Sequence, residues 1–187
     1  PNKQGFDSFY GYLCQRVAHN YYPTHLWNNE TKELLEGNET WFSAHQKISV
    51  PAESYAEYQR KTYAPDRILE ETITFINEHP DDPFFLYFAS TIPHVALQIP
   101  DEELDAYPES WDTKPYLGDK GYLPHPRPRA AYAAMITRFD AEVGAILEAL
   151  RNNGVADNTI VVITSDNGPS WVGGVDLDFF GSKAGLH

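Results

Sequence analysis

Two uninterrupted apolar runs constrain this chain more than any other feature. One is Phe84-Phe85-Leu86-Tyr87-Phe88-Ala89, opening after Pro83, and the other is Thr159-Ile160-Val161-Val162-Ile163-Thr164. A short continuous apolar run, unlike an alternating one, reads as a strand covered on both faces. Between the runs, from about Arg129 to Asn153, Tyr132, Ile136, Phe139, Val143, Ile146, Leu147 and Leu150 step by three and four. That is the period of a helix with one apolar stripe, and Gly154 supplies its stop. An earlier helix is predicted from near Pro65, with Ile68, Leu69, Thr72, Ile73 and Ile76 on one face and Pro80 ending it. Proline suits the first helical turn, and Asp66, Glu70 and Glu71 complement its positive end. The order helix, strand, loop, helix, strand, loop predicts an α/β fold: a mostly parallel sheet flanked by helices. Residues 84–89 and 159–164 are then parallel central strands joined by a crossover helix.

Seven of the 14 prolines fall between residues 91 and 128, a density that forbids a long helix or a central strand there. A loop of this length in a compact domain is usually functional or a linker. Residues 5–50 are rich in aromatic side chains without strict alternation, which predicts packed loop with short strands. The 187 residues suffice for one domain. No stretch approaches the roughly 18 apolar residues of a membrane span. The net charge of −13 repels phosphate backbones, so nucleic acid is not an expected partner. A metal or a local group of cations can still reverse the field inside one cleft, which leaves small anionic substrates open. The single cysteine, Cys14, makes no internal disulfide and no cysteine zinc cluster, and is expected to be a small buried apolar residue.

Parallel α/β sheets place their sites beyond the carboxyl ends of the strands. Two loops leave such ends, one carrying Pro93-His94 and the other Asp166-Asn167-Gly168. Asp166 and Asn167 offer a carboxylate and an amide oxygen, hard donors suited to Ca²⁺ or Mg²⁺; the competing reading is a plain turn, which Asn-Gly favours. A histidine such as His94 can give a proton to a leaving group or hold an anion near neutral pH. Its position sets it above His19, His25, His45, His79 and His125. Lys183, in a Gly/Ser-rich tail, reads as a surface lysine, and no phosphate-binding loop surrounds it. Asn29-Glu30-Thr31 and Asn38-Glu39-Thr40 match the N-glycosylation pattern, which chance accounts for.

Taken together, the motifs resemble the arylsulfatase-type sulfatases of the alkaline-phosphatase superfamily. Gly5-Phe6-Asp7-Ser8-Phe9-Tyr10-Gly11-Tyr12 resembles a block of that family, and Ala18-His19-Asn20-Tyr21-Tyr22-Pro23 with Leu26-Trp27 is similar to its continuation. Residues 84–89 with Thr91-Ile92-Pro93-His94 resemble its strand and catalytic-histidine loop. Tyr132-Ala133-Ala134-Met135 with Asp140 resembles its central helix, and Thr164-Ser165-Asp166-Asn167-Gly168-Pro169 its second metal-binding loop. The match is colinear along essentially the whole chain.

The resemblance implies a sulfuric ester hydrolase acting on a sulfated small molecule or carbohydrate. It implies Ca²⁺, or Mg²⁺, at the sulfate, and a formylglycine nucleophile. His94 would assist at the sulfate and leaving oxygen, and Asp166 and Asn167 would complete the metal site. It also implies a periplasmic, secreted or lysosomal setting. The departures are specific. The family's Cys-x-Pro/Ala-x-Arg nucleophile motif is not met at Cys14, where Arg16 and Ala18 stand at the second and fourth following positions. Ala96 replaces a proline common after the histidine. Phe179-Phe180-Gly181-Ser182 matches a segment that precedes a sulfate-binding lysine, but Lys183 is not at that lysine's place. The expectation is therefore that residues 1–187 are the central portion of a single sulfatase catalytic domain, a partial fold whose nucleophile, paired aspartates and lysine–histidine pair precede Pro1. By itself such a chain is expected to be inactive. A phosphodiesterase or phosphonate hydrolase on the same scaffold, or a non-catalytic remnant of it, are the alternatives.

Overall fold

In the computed structural model, which describes residues 1–182, the aromatic N-terminal segment folds into a three-stranded antiparallel ribbon. Strand β1 (Tyr10–Gly11) is followed by a short helix, α1 (Gln15–Ala18), and by strands β2 (His25–Asn28) and β3 (Thr31–Leu34). Strands β2 and β3 form a hairpin with Asn28 opposite Thr31, and Asn29 turns it at φ 54°. Asparagine tolerates that left-handed conformation. Its Oδ1 accepts from Asn2 Nδ2 at 2.8 Å and from the Phe9 amide at 2.9 Å, tying the hairpin to the preceding segment.

Both predicted helices form. Helix α2 spans Ala64–Glu78 with Pro65 in its first turn, and α3 spans Pro128–Asn152, followed by Gly154 at φ 71°. They pack together. Arg138 of α3 bridges Asp66 of α2 and Glu103 of a 3₁₀ turn, Asp101–Ala106, and lies 4.9 Å from the centre of the Tyr63 ring. A last short helix, α4 (Leu177–Phe180), is capped by Asp176, whose Oδ1 accepts from the Phe179 amide at 3.0 Å.

The main core is built between α3 and the proline-rich loop. Ala130, Ala131, Ala134 and Met135 meet Ile92, Val95, Leu97 and Ile99 of the loop, with Tyr21, Tyr22 and Tyr63 between them. A loop buried this way must find partners for its backbone groups. Tyrosine hydroxyls supply them. Tyr63 donates to the Gln98 carbonyl at 2.8 Å and Tyr55 to the Ile99 carbonyl at 3.0 Å, while Gln98 Oε1 accepts from the Tyr21 amide at 3.1 Å. Burial pushes the Tyr21 and Tyr63 phenols well above their ordinary pKa, so they stay neutral donors.

Three expectations need correction. The runs 84–89 and 159–164 do not pair with each other as parallel strands, and the ladder among the described residues is the antiparallel ribbon. From 84 to 90 the side chains alternate as they do along a strand. Phe84 and Leu86 pack on the α2–α3 pair, whereas Phe85 is 77% exposed and Tyr87 70%. In the second run Ile160 is 92% exposed. An apolar run states a need for cover on two faces and a partner on each edge; it does not say which residues provide them. Cys14 is exposed, not buried. Asn38, read only as a sequon, is fully buried, donating to the carbonyls of Pro23 and Thr62 at 2.9 and 2.8 Å. Lys183 lies outside the described residues.

Candidate active site

His94 sits on an exposed turn that leaves the first apolar run and enters the core. Its amide donates to the Thr91 carbonyl at 2.8 Å. The hydroxyl of Tyr21, fully buried, lies 2.7 Å from both the Thr91 and the His94 carbonyl and clamps the turn from below. The imidazole Nδ1 is hydrogen-bonded to the carbonyl of Val95. A carbonyl only accepts, so Nδ1 carries the proton and Nε2 is the nitrogen left for chemistry.

Two rings meet it directly, and a third packs on those two. His19 meets His94 edge-on with centroids 4.9 Å apart, and His45 lies 5.1 Å from His19. Tyr122 stacks on His45 at 4.6 Å and lies 5.7 Å from His94. These residues come from four separate segments. Desolvation holds His19 below the ordinary imidazole range, and the nearby His94 and His45 charges act the same way. The Gln15 and Arg16 backbone opposes the shift, but the buried His19 Nδ1 makes no hydrogen bond of normal geometry.

Beneath the turn lies Glu142 of α3, 3% exposed, with neither carboxylate oxygen hydrogen-bonded. Burial raises its pKa to about 7, although Arg138, 4.0 Å away, and Ser90 pull it down.

Asp166 and Asn167 occupy an exposed turn after the second apolar run. Their interactions stay inside that turn: Asn167 Nδ2 donates to Asp166 Oδ1 at 2.7 Å, and Ser165 Oγ donates to the Asn167 carbonyl at 2.8 Å. The chain then returns to the His94 region. Gly173, at φ 63°, packs so closely on Val95 that an added Cβ would stand 2.7 Å from the valine Cβ. Gly173 thus meets Val95, next to His94, while Asp166 and Asn167 bond within their own turn and His94 itself contacts His19 and Tyr122.

A hard cation such as Ca²⁺ takes about 6–8 oxygens. Asp166 and Asn167 offer two side-chain groups, and the asparagine turns its amide nitrogen, not its oxygen, toward the carboxylate. Among the described residues no three His, Cys, Asp or Glu groups converge as a metal site. The pair fits part of a shell and does not make one.

The Sulfatase family model matches residues 1–184. The chain belongs to the sulfatase family. It is 29% identical over 170 residues to the uncharacterized sulfatase YdeN of Escherichia coli, covering 90% of this chain and 23% of that protein. It is 29% identical over 132 residues to an arylsulfatase of Clostridium perfringens, 59% of this chain and 27% of that one. It is 32% identical over 105 residues to human N-acetylgalactosamine-6-sulfatase, 56% of this chain and 16% of that one. The crystal structure of Ps i-CgsB in complex with k-i-k-neocarrahexaose superposes with a TM-score of 0.55 and 25% identity, covering 84% of this chain and 31% of that one. This sulfatase chain therefore spans about a quarter of the length of its relatives, and it has the α/β sulfatase fold in part. The family's chemistry uses a metal ion and a formylglycine nucleophile. No helix among the described residues is long and apolar enough to cross a membrane.

Sequence reasoning ranked His94 first and passed over His19, His45, Tyr122 and Tyr21. His19 and Tyr21 stand in a family-like block, which was a usable signal. His45 and Tyr122 had none, because only folding brings them to His94.

Proposed function

We propose that this chain supplies the central part of a sulfatase catalytic domain that hydrolyses sulfate esters of a carbohydrate or aryl alcohol. The observation that carries the reading is His94: within a chain matched to the family over residues 1–184, it is exposed on a turn clamped by buried Tyr21, with Nε2 free. A protonated Nε2 can give its proton to the leaving oxygen, or hold a sulfate oxygen, while Nδ1 stays anchored to Val95. Ca²⁺ and a formylglycine nucleophile belong to this proposal, with Asp166 and Asn167 contributing to the metal shell. A carbohydrate substrate is supported by the oligosaccharide in the matching crystal structure and by the name of the human relative.

The test is hydrolysis of a chromogenic aryl sulfate and of a hexose 6-sulfate with added Ca²⁺. The 187-residue chain alone should give no turnover. The full gene product should be active and lose about 10²–10⁴-fold in His94→Ala, the usual weight of one acid–base group. Turnover by the chain alone that vanishes in His94→Ala would show a complete site within it. Full activity of the His94→Ala gene product would remove His94 from the chemistry.

A further inference from the structure

The rings around His94 include more than one acid–base residue requires. His19 and His45 add two imidazoles within about one ring's width, and Tyr122 closes the group with a phenol. His45 and His94 are exposed, and His19 and Tyr122 are half-buried, so the cluster opens to solvent. It is not a metal cage. The guanidinium of Arg16, three residues before His19, lies 5.6 Å from the centre of the Trp41 ring. On His19 the acting charges are those of His94 and His45, and both oppose its protonation. Three imidazoles this close repel one another when charged. An anion seated among them removes that conflict.

We propose that His19, His45 and His94, with Tyr122, form one oxyanion-binding cluster that holds a sulfate-ester group carried on the substrate. His19 and His45 are then binding residues beside His94. The proposal deepens the sulfatase reading and rests on it for the choice of ligand. Binding should draw protons onto the rings, so affinity should rise as pH falls. With one proton taken up, the gain is about tenfold per pH unit across the imidazole range.

The experiment is an NMR pH titration of the imidazole resonances of the 187-residue chain. It is run without ligand, with sodium sulfate, with a hexose 6-sulfate, and with the unsulfated hexose, at constant ionic strength held with chloride. His25, beside Trp27, and His79, beside Phe75, are internal controls away from the cluster. The expected result is that the sulfate ester raises the titration midpoints of His19, His45 and His94 together and leaves His25 and His79 unmoved. Affinity should grow about tenfold per pH unit, and His19→Gln or His45→Gln should weaken it about tenfold at pH 6, as loss of one charge-assisted hydrogen bond does. The parent titration needs no variant to fold. Equal shifts at all the histidines would mean screening alone and would overturn the proposal. So would equal shifts with the unsulfated hexose, binding of inorganic sulfate but not of the ester, or parent-like affinity in both variants. Because the readout is binding, a gene product that binds the ester here but hydrolyses none would sink the hydrolase reading and leave the cluster standing.

Discussion

Residues 84–90 and 91–99 are consecutive, yet they reverse the usual relation between composition and burial. The first is a run of aromatic and aliphatic side chains, and its Phe85 and Tyr87 are mostly exposed. The second begins the proline-rich loop, and Val95 through Ile99 are buried, including the polar Gln98 at 0%. The difference lies in the neighbours. The loop faces the alanine-lined side of α3, where small side chains allow close approach, and tyrosines and Gln98 satisfy its backbone. The run packs one face on the α2–α3 pair, and on the other the ring of Phe6, 6.3 Å from that of Phe85, still leaves Phe85 and Tyr87 mostly exposed. Apolarity sets what burial would gain; the surrounding chain decides whether it happens.

Paired truncations are the most forceful way to break this contrast. Leu97→Ala should cost about 2–5 kcal/mol in urea unfolding, as buried leucines do, while Phe85→Ala should change stability by under about 0.5 kcal/mol. Equal losses would show that the run is as well packed as the loop.

A smaller effect concerns the buried carboxylate under the same junction. Glu142 titrates near 7 in the folded chain and lower when unfolded, so the folded state binds the extra proton between those values. Its contribution is therefore fully present below the unfolded pKa and lost as pH rises through 7. His125 acts in the opposite sense. Burial lowers its pKa to about 3, and its Nδ1 accepts from the Arg127 amide at 2.9 Å. Its neutral form stabilises the fold above the unfolded imidazole pKa, and that support fades as pH falls toward 3. The two slopes offset each other between about pH 4.5 and 6.5. Glu142→Gln should raise stability at pH 8 by roughly 2 kcal/mol and uncover the His125 slope in that window. A flat profile in the variant would contradict the His125 assignment, and no gain at pH 8 would contradict that of Glu142.

The clamp on the junction is worth less. Tyr21→Phe removes the hydroxyl that faces the Thr91 and His94 carbonyls and should cost about 1 kcal/mol. It should also broaden the His94 imidazole resonance while leaving His79 sharp. An unchanged His94 signal would mean that the turn holds its shape without Tyr21.

The smallest effect is expected in the exposed turn. Asp166→Ala should alter the stability of the chain by under about 0.5 kcal/mol, and Ca²⁺ should not shift thermal unfolding, since two donors fall well short of a full shell. A clear Ca²⁺-dependent rise in Tm that Asp166→Ala abolishes would show a closed metal site within this chain.

The sequence alone determined the parts of this protein that depend on one turn of chain. The three-and-four spacing in α2 and α3, Pro65 at one end and Gly154 at another, and the proline density of 91–128 act on residues a few positions apart. Their energies do not wait for the rest of the molecule. The family-like motifs that point to His94, Asp166 and Asn167 are likewise local, a few residues each. Tertiary structure decided what was buried and what met. It exposed Phe85 and Ile160 and placed Asn38 and Gln98 inside. It set Tyr21 under the His94 turn and gathered His19, His45 and Tyr122 around the imidazole. Those outcomes depend on contacts between residues far apart in the chain, whose worth is fixed by the neighbours that folding supplies.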